Sequence, residues 1–122
     1  MEPQDVPPFQ LDTRLAADTV LIAELDFCSL RLMNDTRWPW LILVPRIAGI
    51  AELHDLSKAD QTRLLDETIL AGRVLKTATG CEKINTGALG NIVRQLHVHV
   101  VARSPGDPAW PGPVWGQGPR VP

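Results

Sequence analysis

The sequence has few cysteines, no long apolar run and little net charge, and each shortage narrows the class of protein. Two cysteines, Cys28 and Cys81, are too few for a disulfide framework, so we expect two reduced thiols. No segment approaches the roughly 18 consecutive apolar residues that a membrane span needs. The formal net charge of −2 leaves no broad basic surface for nucleic acid or an anionic membrane. An anion would have to bind at a local site.

The first residues also lack the apolar stretch of a secretory signal, because Met1 to Asp5 are mostly polar. Together with the reduced thiols, this predicts a cytoplasmic protein. With 122 residues, 44% of them hydrophobic, the chain can bury one core without a metal or disulfide. We expect a flexible lead-in over residues 1–8, one folded domain over 9–103, and a proline-, glycine- and tryptophan-rich tail over 104–122.

Apolar periodicity and turn residues predict a short helix, five strands and one long helix. The long helix begins after Ser57, a good N-cap, ends at Thr79 and has Gly80 as its C-terminal cap. Its apolar stripe is predicted to contain Leu65, Ile69, Gly72 and Leu75. The remaining elements are a helix over 9–18 and strands over 20–25, 28–33, 40–44, 82–86 and 94–103. This order favours an α+β fold, an antiparallel sheet with its helices on one side.

The last predicted strand holds the most informative residues. Successive side chains of a strand point to opposite faces, so Gln95, His97 and His99 share one face. The apolar residues that alternate with them (Leu96, Val98 and Val100) are expected to form the core beneath the long helix. Buried histidine and glutamine side chains need hydrogen-bond partners. Burying these three polar side chains in a purely structural strand would therefore cost free energy.

A glycine-containing loop, Gly87 to Asn91, precedes the histidines and offers backbone N–H groups to an anion. Beside such donors, one imidazole can attack phosphorus or move a proton, and the other can offset charge that develops on phosphate oxygens. The spacing also suits a metal, because a His-x-His pair can direct both rings to one ion, although further ligands are few. A structural pair with satisfied hydrogen bonds is the third interpretation.

The stretch from Gln95 to Val101 resembles the signature of the histidine triad superfamily, in which three histidines alternate with hydrophobic residues and two more hydrophobic residues follow. Glutamine stands in place of the first histidine, as in a bacterial-type variant of the pattern. The resemblance covers roughly residues 10–115. It includes a hairpin over 26–45, the start of the central helix at 52–56, a phosphate-side loop over 85–91 and the pair Trp110-Pro111.

The resemblance implies a five-stranded antiparallel sheet with one long and one short helix, and a homodimer in which two sheets become continuous. It further implies a nucleotide-binding hydrolase or transferase that cleaves a phosphoramidate or a dinucleoside polyphosphate at the α-phosphate, through a nucleotidyl-histidine intermediate. His97 takes the place of the nucleophile, His99 holds phosphate, and Gln95 completes the catalytic set. The residues expected to contact the nucleotide or its phosphate are Asn34, Asn85, Gly90, Asn91 and Trp110.

Three departures from the family pattern bear on activity. Gln95 cannot carry a positive charge, Trp40 stands where many members have a further histidine, and Ile92 replaces a frequent hydroxyl residue. Because the nucleophile is kept, we expect slow or narrow catalysis, and the alternative is a catalytically weak nucleotide-binding or signalling module. No cofactor is required, a divalent metal stays open, and no residue is assigned to a metal. Trp38 and Trp40 could wall a purine pocket or pack the hairpin. Trp110 and Trp115 could pack on their own domain or reach the site of a neighbouring subunit.

Overall fold

The computed structural model describes residues 8–122, so the predicted lead-in lies outside the described residues except for Pro8. Within residues 8–122 the chain forms two α-helices and five strands. In chain order the elements are α1 (Thr13–Asp18), β1 (Thr19–Glu24), β2 (Cys28–Met33), β3 (Trp40–Pro45), a 3-10 turn (Leu53–Asp55), α2 (Lys58–Thr79), β4 (Lys83–Gly87) and β5 (Val98–Arg103). None of the described helices is long and apolar enough to cross a membrane.

The strands form one sheet in the order β1-β2-β3-β5-β4, and every neighbouring pair is antiparallel. The predicted α+β class, with a five-stranded antiparallel sheet, one long helix and one short helix, is therefore confirmed. β5 lies between β3 and β4, and His99 is opposite Ile42 on one side and Gly87 on the other. The topology thus brings the predicted phosphate loop, which follows β4, beside the histidine strand.

The ends of α2 agree with the sequence prediction. The Ser57 side chain accepts a hydrogen bond from the Asp60 N–H at 3.2 Å, as an N-cap does. At the other end Gly80 has φ +65°, a left-handed conformation that favours glycine, and its N–H donates to the Lys76 carbonyl at 2.9 Å.

The apolar stripe predicted for α2 is wrong at two of its four positions. Leu65 is 58% exposed and Ile69 is 48% exposed, whereas Leu64, Ala71 and Leu75 are buried against the sheet. The Glu67 carboxylate accepts the N–H groups of residues 27 and 28 at 3.0 and 2.7 Å. These bonds fix the rotation of the helix about its axis. Its sheet-facing stripe therefore begins at Leu64, one residue before the predicted Leu65.

The sheet is covered on both faces, so the prediction of helices on one side is wrong. α2 covers one face, where Leu43 and Val100 are fully buried. On the opposite face Ile42 and Val101 pack with Leu15 of α1 and with residues of the tail. The reason is the continuous apolar run of β3, whose six residues are all buried and which therefore needs a cover on each side.

Two predicted boundaries shift by more than one residue. α1 begins at Thr13, after Asp12 caps it, and β5 begins only at Val98. The segment before β5 leaves the strand ladder because its hydrogen bonds run elsewhere. The Leu96 N–H donates to Ile50 O at 2.9 Å, and the Gln95 side chain binds the backbone ahead of α1.

Candidate active site

The two histidines lie side by side on the sheet face opposite α2. His97 immediately precedes β5 and His99 is its second residue, and both are buried, with 7% and 6% exposure. Their ring centroids are 4.9 Å apart and the rings meet edge to face, at 66°. The predicted shared face of His97 and His99 therefore holds, even though only His99 is within the strand.

The His97 ring is oriented by a backbone carbonyl. Its Nδ1 lies 2.7 Å from the Gln95 carbonyl oxygen. Because a carbonyl can only accept a hydrogen bond, Nδ1 carries the hydrogen, and in the neutral ring Nε2 is left with an unshared electron pair. This arrangement makes Nε2 the nucleophilic or basic atom of His97.

The His99 ring carries its hydrogen on the other nitrogen, Nε2. Its Nδ1 accepts a hydrogen bond from the indole Nε1–H of Trp40 at 3.0 Å. An indole N–H can only donate, so the neutral His99 ring carries its hydrogen on Nε2. Burial, and the neighbouring charge of His97, lower the pKa of His99 to about 3. His99 is therefore a neutral hydrogen-bond donor at neutral pH.

A cavity of about 580 Å³ contains both imidazoles. Gly90 and Asn91, from the predicted phosphate loop, form part of its wall beside His97. Gly90 has φ +70°, which allows the tight turn of this loop. The remaining wall includes three arginines (Arg14, Arg37 and Arg120) and two aspartates (Asp18 and Asp35). Cationic side chains outnumber anionic ones, so the cavity suits an anionic ligand although the whole chain is slightly acidic.

The C-terminal tail supplies the aromatic wall of this cavity through Trp115. The Trp115 ring centroid lies 5.5 Å from that of His99 and 6.3 Å from that of Trp40. Trp115 therefore packs within its own chain, one of the two positions considered from the sequence. A Cβ at Gly87 would be 3.3 Å from Cη2 of Trp115, so glycine leaves room for this ring.

Salt bridges and hydrogen bonds hold the tail in this position. Arg103 is only 1% exposed and pairs with Asp107 at 2.8 Å. The Arg103 guanidinium holds the pKa of the Asp107 carboxyl far below its usual range. Further along, the Arg37 side chain donates to the carbonyls of Gln117 and Pro119 at 2.8 and 3.2 Å.

Four of the predicted site residues lie outside the cavity wall. The Gln95 side chain accepts the Asp12 N–H and donates to Gln10 O, both at 2.8 Å. Asn85 instead accepts from the Arg103 guanidinium at 2.8 Å. Trp110 lies against that same guanidinium, 5.7 Å from ring centroid to Cζ. The fourth residue is Asn34, whose carbonyl accepts from Arg120 at 3.3 Å. The structure thus brings together His97, His99, Gly90 and Asn91 of the predicted set.

Sequence reasoning did not assign Arg14 or Arg120 to the site, and it considered Trp115 only for the site of a neighbouring subunit. Only Trp115 left a signal, because a tryptophan is unusual in a proline- and glycine-rich tail. For the metal interpretation, residues 8–122 contain no group of three or more His, Cys, Asp or Glu side chains placed to hold an ion. Both His Nδ1 atoms have hydrogen-bond partners and the neutral His99 ring carries its hydrogen on Nε2, so of the two rings only His97 presents a free electron pair, on Nε2.

A family model for the HIT domain matches residues 14–106, so the chain belongs to the histidine triad family. A histidine triad protein of Sinorhizobium meliloti 1021 is 61% identical, with a TM-score of 0.92 over 93% of this chain and 84% of that one. One from Marinobacter aquaeolei VT8 is 51% identical, with a TM-score of 0.93 over 95% and 85%. One from Bradyrhizobium japonicum is 43% identical, with a TM-score of 0.92 over 94% and 86%. No curated protein matches the chain.

Proposed function

We propose that the chain is a nucleotide-binding hydrolase or transferase that cleaves at the α-phosphate through a nucleotidyl intermediate on His97. The observation that carries the proposal is the opposite hydrogen bonding of the two imidazoles in one cavity. His97 presents an unshared electron pair on Nε2, because its Nδ1–H donates to Gln95 O. His99 presents an N–H, because its Nδ1 accepts from Trp40. One ring suits attack on phosphorus and the other suits binding of a phosphate oxygen.

The proposed reaction has two steps. In the first, the His97 Nε2 electron pair forms a bond to the α-phosphorus while the bond from phosphorus to the leaving group breaks, and the leaving group keeps that electron pair. The ring then carries a positive charge, which the Nδ1–H bond to Gln95 O stabilises. In the second, water attacks phosphorus, the P–N bond breaks and its electron pair returns to Nε2. The water proton passes to solvent, and the nucleoside monophosphate leaves.

Three kinds of donor support the transferring phosphoryl group in this proposal. His99 supplies Nε2–H, Asn91 supplies its side-chain amide, and the Gly90 loop supplies backbone N–H groups along the cavity wall. Arg14 also lines the cavity and suits a second phosphate of the substrate. These groups act through hydrogen bonds and charge, so the proposal requires no cofactor, leaves a divalent metal open, and predicts that activity survives treatment with a chelator.

The direct test uses adenosine 5′-phosphoramidate and a diadenosine polyphosphate as substrates, with AMP release as the measurement. We expect release from at least one of them, and loss of release in His97→Ala. Binding of AMP without release from either substrate would instead support the second candidate, a nucleotide-binding or signalling module. That candidate is favoured by one observation: residue 95 is a glutamine whose side chain is occupied at Asp12 and Gln10, so it brings no ionisable group to His97.

We also propose a homodimer in which a second copy of the chain pairs with the β4 edge. β4 is an outer strand of the sheet, and an apolar groove of about 480 Å³ beside it is lined by Leu53, Leu65 and Thr86. An unpaired edge next to an apolar groove is a surface that proteins usually cover.

We expect a dimer by light scattering at micromolar concentration, and a monomer for Leu65→Asp. The matched control is Leu70→Asp, because Leu70 is also exposed on α2, at 48%, but does not line the groove. A monomeric unaltered protein would contradict the proposal.

The cellular compartment is proposed from the thiols. Cys28 and Cys81 are both free and buried. Burial, with Glu67 beside it, raises the pKa of the Cys28 thiol far above its usual value, so this thiol is unreactive. These reduced thiols suit the cytoplasm, where thiols are kept reduced. Localisation of a tagged chain in fractionated cells tests this proposal, and recovery outside the cytoplasm would contradict it.

A further inference from the structure

Trp40 belongs to the apolar cluster on this face of the sheet, but apolar packing does not explain the hydrogen bond that its indole N–H makes to His99. It is the first residue of β3 and lies opposite Val101, while Ile42 lies opposite His99. Trp40 and His99 are therefore diagonal neighbours on one sheet face, a spacing that large side chains can bridge. Trp40 is 7% exposed, and its indole nitrogen is 3.0 Å from His99 Nδ1.

The His99 ring is enclosed by rings on three sides. The centroids of Trp40, Trp115 and His97 lie 5.6, 5.5 and 4.9 Å from its own. Of these neighbours, only Trp40 makes a hydrogen bond to the His99 ring. Packing alone would allow the ring to carry its hydrogen on either nitrogen, because the two forms have the same shape. The indole N–H distinguishes them, since it requires an acceptor at Nδ1.

We propose that Trp40 is a positioning residue that fixes His99 as the neutral Nε2–H form, so that His99 binds phosphate as a hydrogen-bond donor. Protonation of His99 would place a hydrogen on Nδ1, against the indole N–H, and would break that bond. The identity of the ligand rests on the function proposed above, but the form of the ring does not.

The groups around His99 are consistent with this account. Within residues 8–122, the titratable neighbour in direct ring contact is His97, and a charge there would oppose a second charge on His99. β3 and β4 contribute Ile42 and Gly87 opposite His99, and the tail contributes Trp115, none of them ionisable. The charged side chains that share the cavity are Arg14, Asp18, Asp35, Arg37 and Arg120.

The test compares Trp40→Phe with Trp38→Phe. Trp38 is a suitable control because it is 3% exposed, packs edge-on to Trp40 at 6.2 Å between centroids, and does not line the cavity. The readout is the ¹⁵N chemical shift of both His99 ring nitrogens from pH 4.5 to 8.5. We expect the Nε2–H form without titration in the unaltered protein and in Trp38→Phe. In Trp40→Phe we expect a mixture of both forms, and the onset of protonation at the acid end of this range because the His99 pKa rises.

A second readout concerns the ligand. The AMP affinity of Trp40→Phe, divided by that of Trp38→Phe, should rise at least about twofold from pH 8 to pH 4.5, because part of the His99 population then gains charge. A His99 ring that stays entirely in the Nε2–H form in Trp40→Phe would overturn the proposal, since burial alone would then fix it.

If Trp40→Phe does not fold, the coupling between Trp40 Nε1 and His99 Nδ1 across their hydrogen bond decides the question in the unaltered protein. Observed coupling supports the proposal, and His99 hydrogen found on Nδ1 contradicts it. Neither ring measurement depends on turnover, so both separate this proposal from the catalytic one.

Discussion

The two faces of the sheet are made by the same strands but are stabilised by different interactions. On the α2 face, β3 and β5 contribute Leu43, Val98 and Val100, which form an apolar core with the helix. On the opposite face, the same strands contribute Trp40 and His99, whose polar atoms are buried and bonded to each other. Burial of apolar area is enough to explain the first face. The second face also depends on specific hydrogen bonds, and these set which atom of each imidazole can react.

The largest effect on stability is expected for Leu43→Ala, on the α2 face. Leu43 is fully buried, so its truncation should lower the free energy of unfolding by about 2–5 kcal/mol. Turnover per folded molecule should stay close to that of the unaltered protein, because Leu43 faces away from the histidines. Urea unfolding and AMP release measure the two effects. Leu70→Ala, at a position 48% exposed, is the control and should cost much less. A large loss of turnover by folded Leu43→Ala would show that the two faces are coupled.

A somewhat smaller loss is expected for Asp107→Asn, on the opposite face. It leaves the buried Arg103 charge without its carboxylate, which should cost about 2–4 kcal/mol at pH 7. The pKa of Asp107 is lowered in the folded state, so its stabilisation is present above the unfolded pKa and is lost as pH falls below about 4. Unfolding measured from pH 7 to pH 2.5 should therefore show a weaker acid dependence for the variant. An unchanged slope would mean that this ion pair does not stabilise the tail.

A smaller effect, on AMP binding, is expected for His99→Ala and Asn91→Ala. Each removes a proposed donor to a charged phosphate, so AMP binding should weaken by about 1.5–3 kcal/mol, roughly 10- to 150-fold. Unfolding of Asn91→Ala should be nearly unchanged, because Asn91 is exposed and lies outside both apolar clusters. Calorimetric titration with AMP measures the affinity, and Asn34→Ala is the control because Asn34 lies outside the cavity wall. Unchanged affinity in both variants would remove the proposed phosphate site.

The smallest effect is expected for Gln95→Ala. Its side chain makes two hydrogen bonds to the backbone of residues 10 and 12, and their loss should cost about 1–2 kcal/mol of stability. Because His97 is held by the carbonyl of residue 95 and not by its side chain, kcat should change by less than about threefold. Gln95→His, which restores the family pattern, should likewise change the rate little. A large increase in rate for Gln95→His would show that glutamine limits catalysis.

The same contrast explains what could be predicted from the sequence. The strands, the caps of α2 and the shared face of His97 and His99 depend on short-range patterns, and these were predictable. The buried side of α2 was not, because apolar residues such as Leu65 and Leu70 flank the true stripe and do not single out one face.

The incorrect predictions at the site, for Trp110 and for the Gln95 side chain, have a different cause. Trp115, not Trp110, reaches the histidines because Arg103 holds Trp110 and Arg37 holds the later part of the tail. The Gln95 side chain is likewise taken up by residues more than 80 positions away. Such pairings join distant parts of the chain, and no local pattern marks them. The pairing of His97, the proposed nucleophile, with His99 was within reach of sequence reasoning, whereas the positions of Trp115 and of the Gln95 side chain were not.

The central claim is that His97 is the covalent nucleophile, and the most direct measurement is the position of the nucleotidyl adduct. The protein would be mixed with substrate, quenched at alkaline pH to preserve a P–N bond, digested, and mapped by mass spectrometry. We expect the adduct on His97 alone, and none in His97→Ala, with kcat lowered at least about 10³-fold, roughly 4 kcal/mol. His54, 84% exposed, serves as the internal control for non-specific labelling. An adduct on His99 or His54, or a kcat in His97→Ala within about tenfold of the unaltered protein, would contradict the claim.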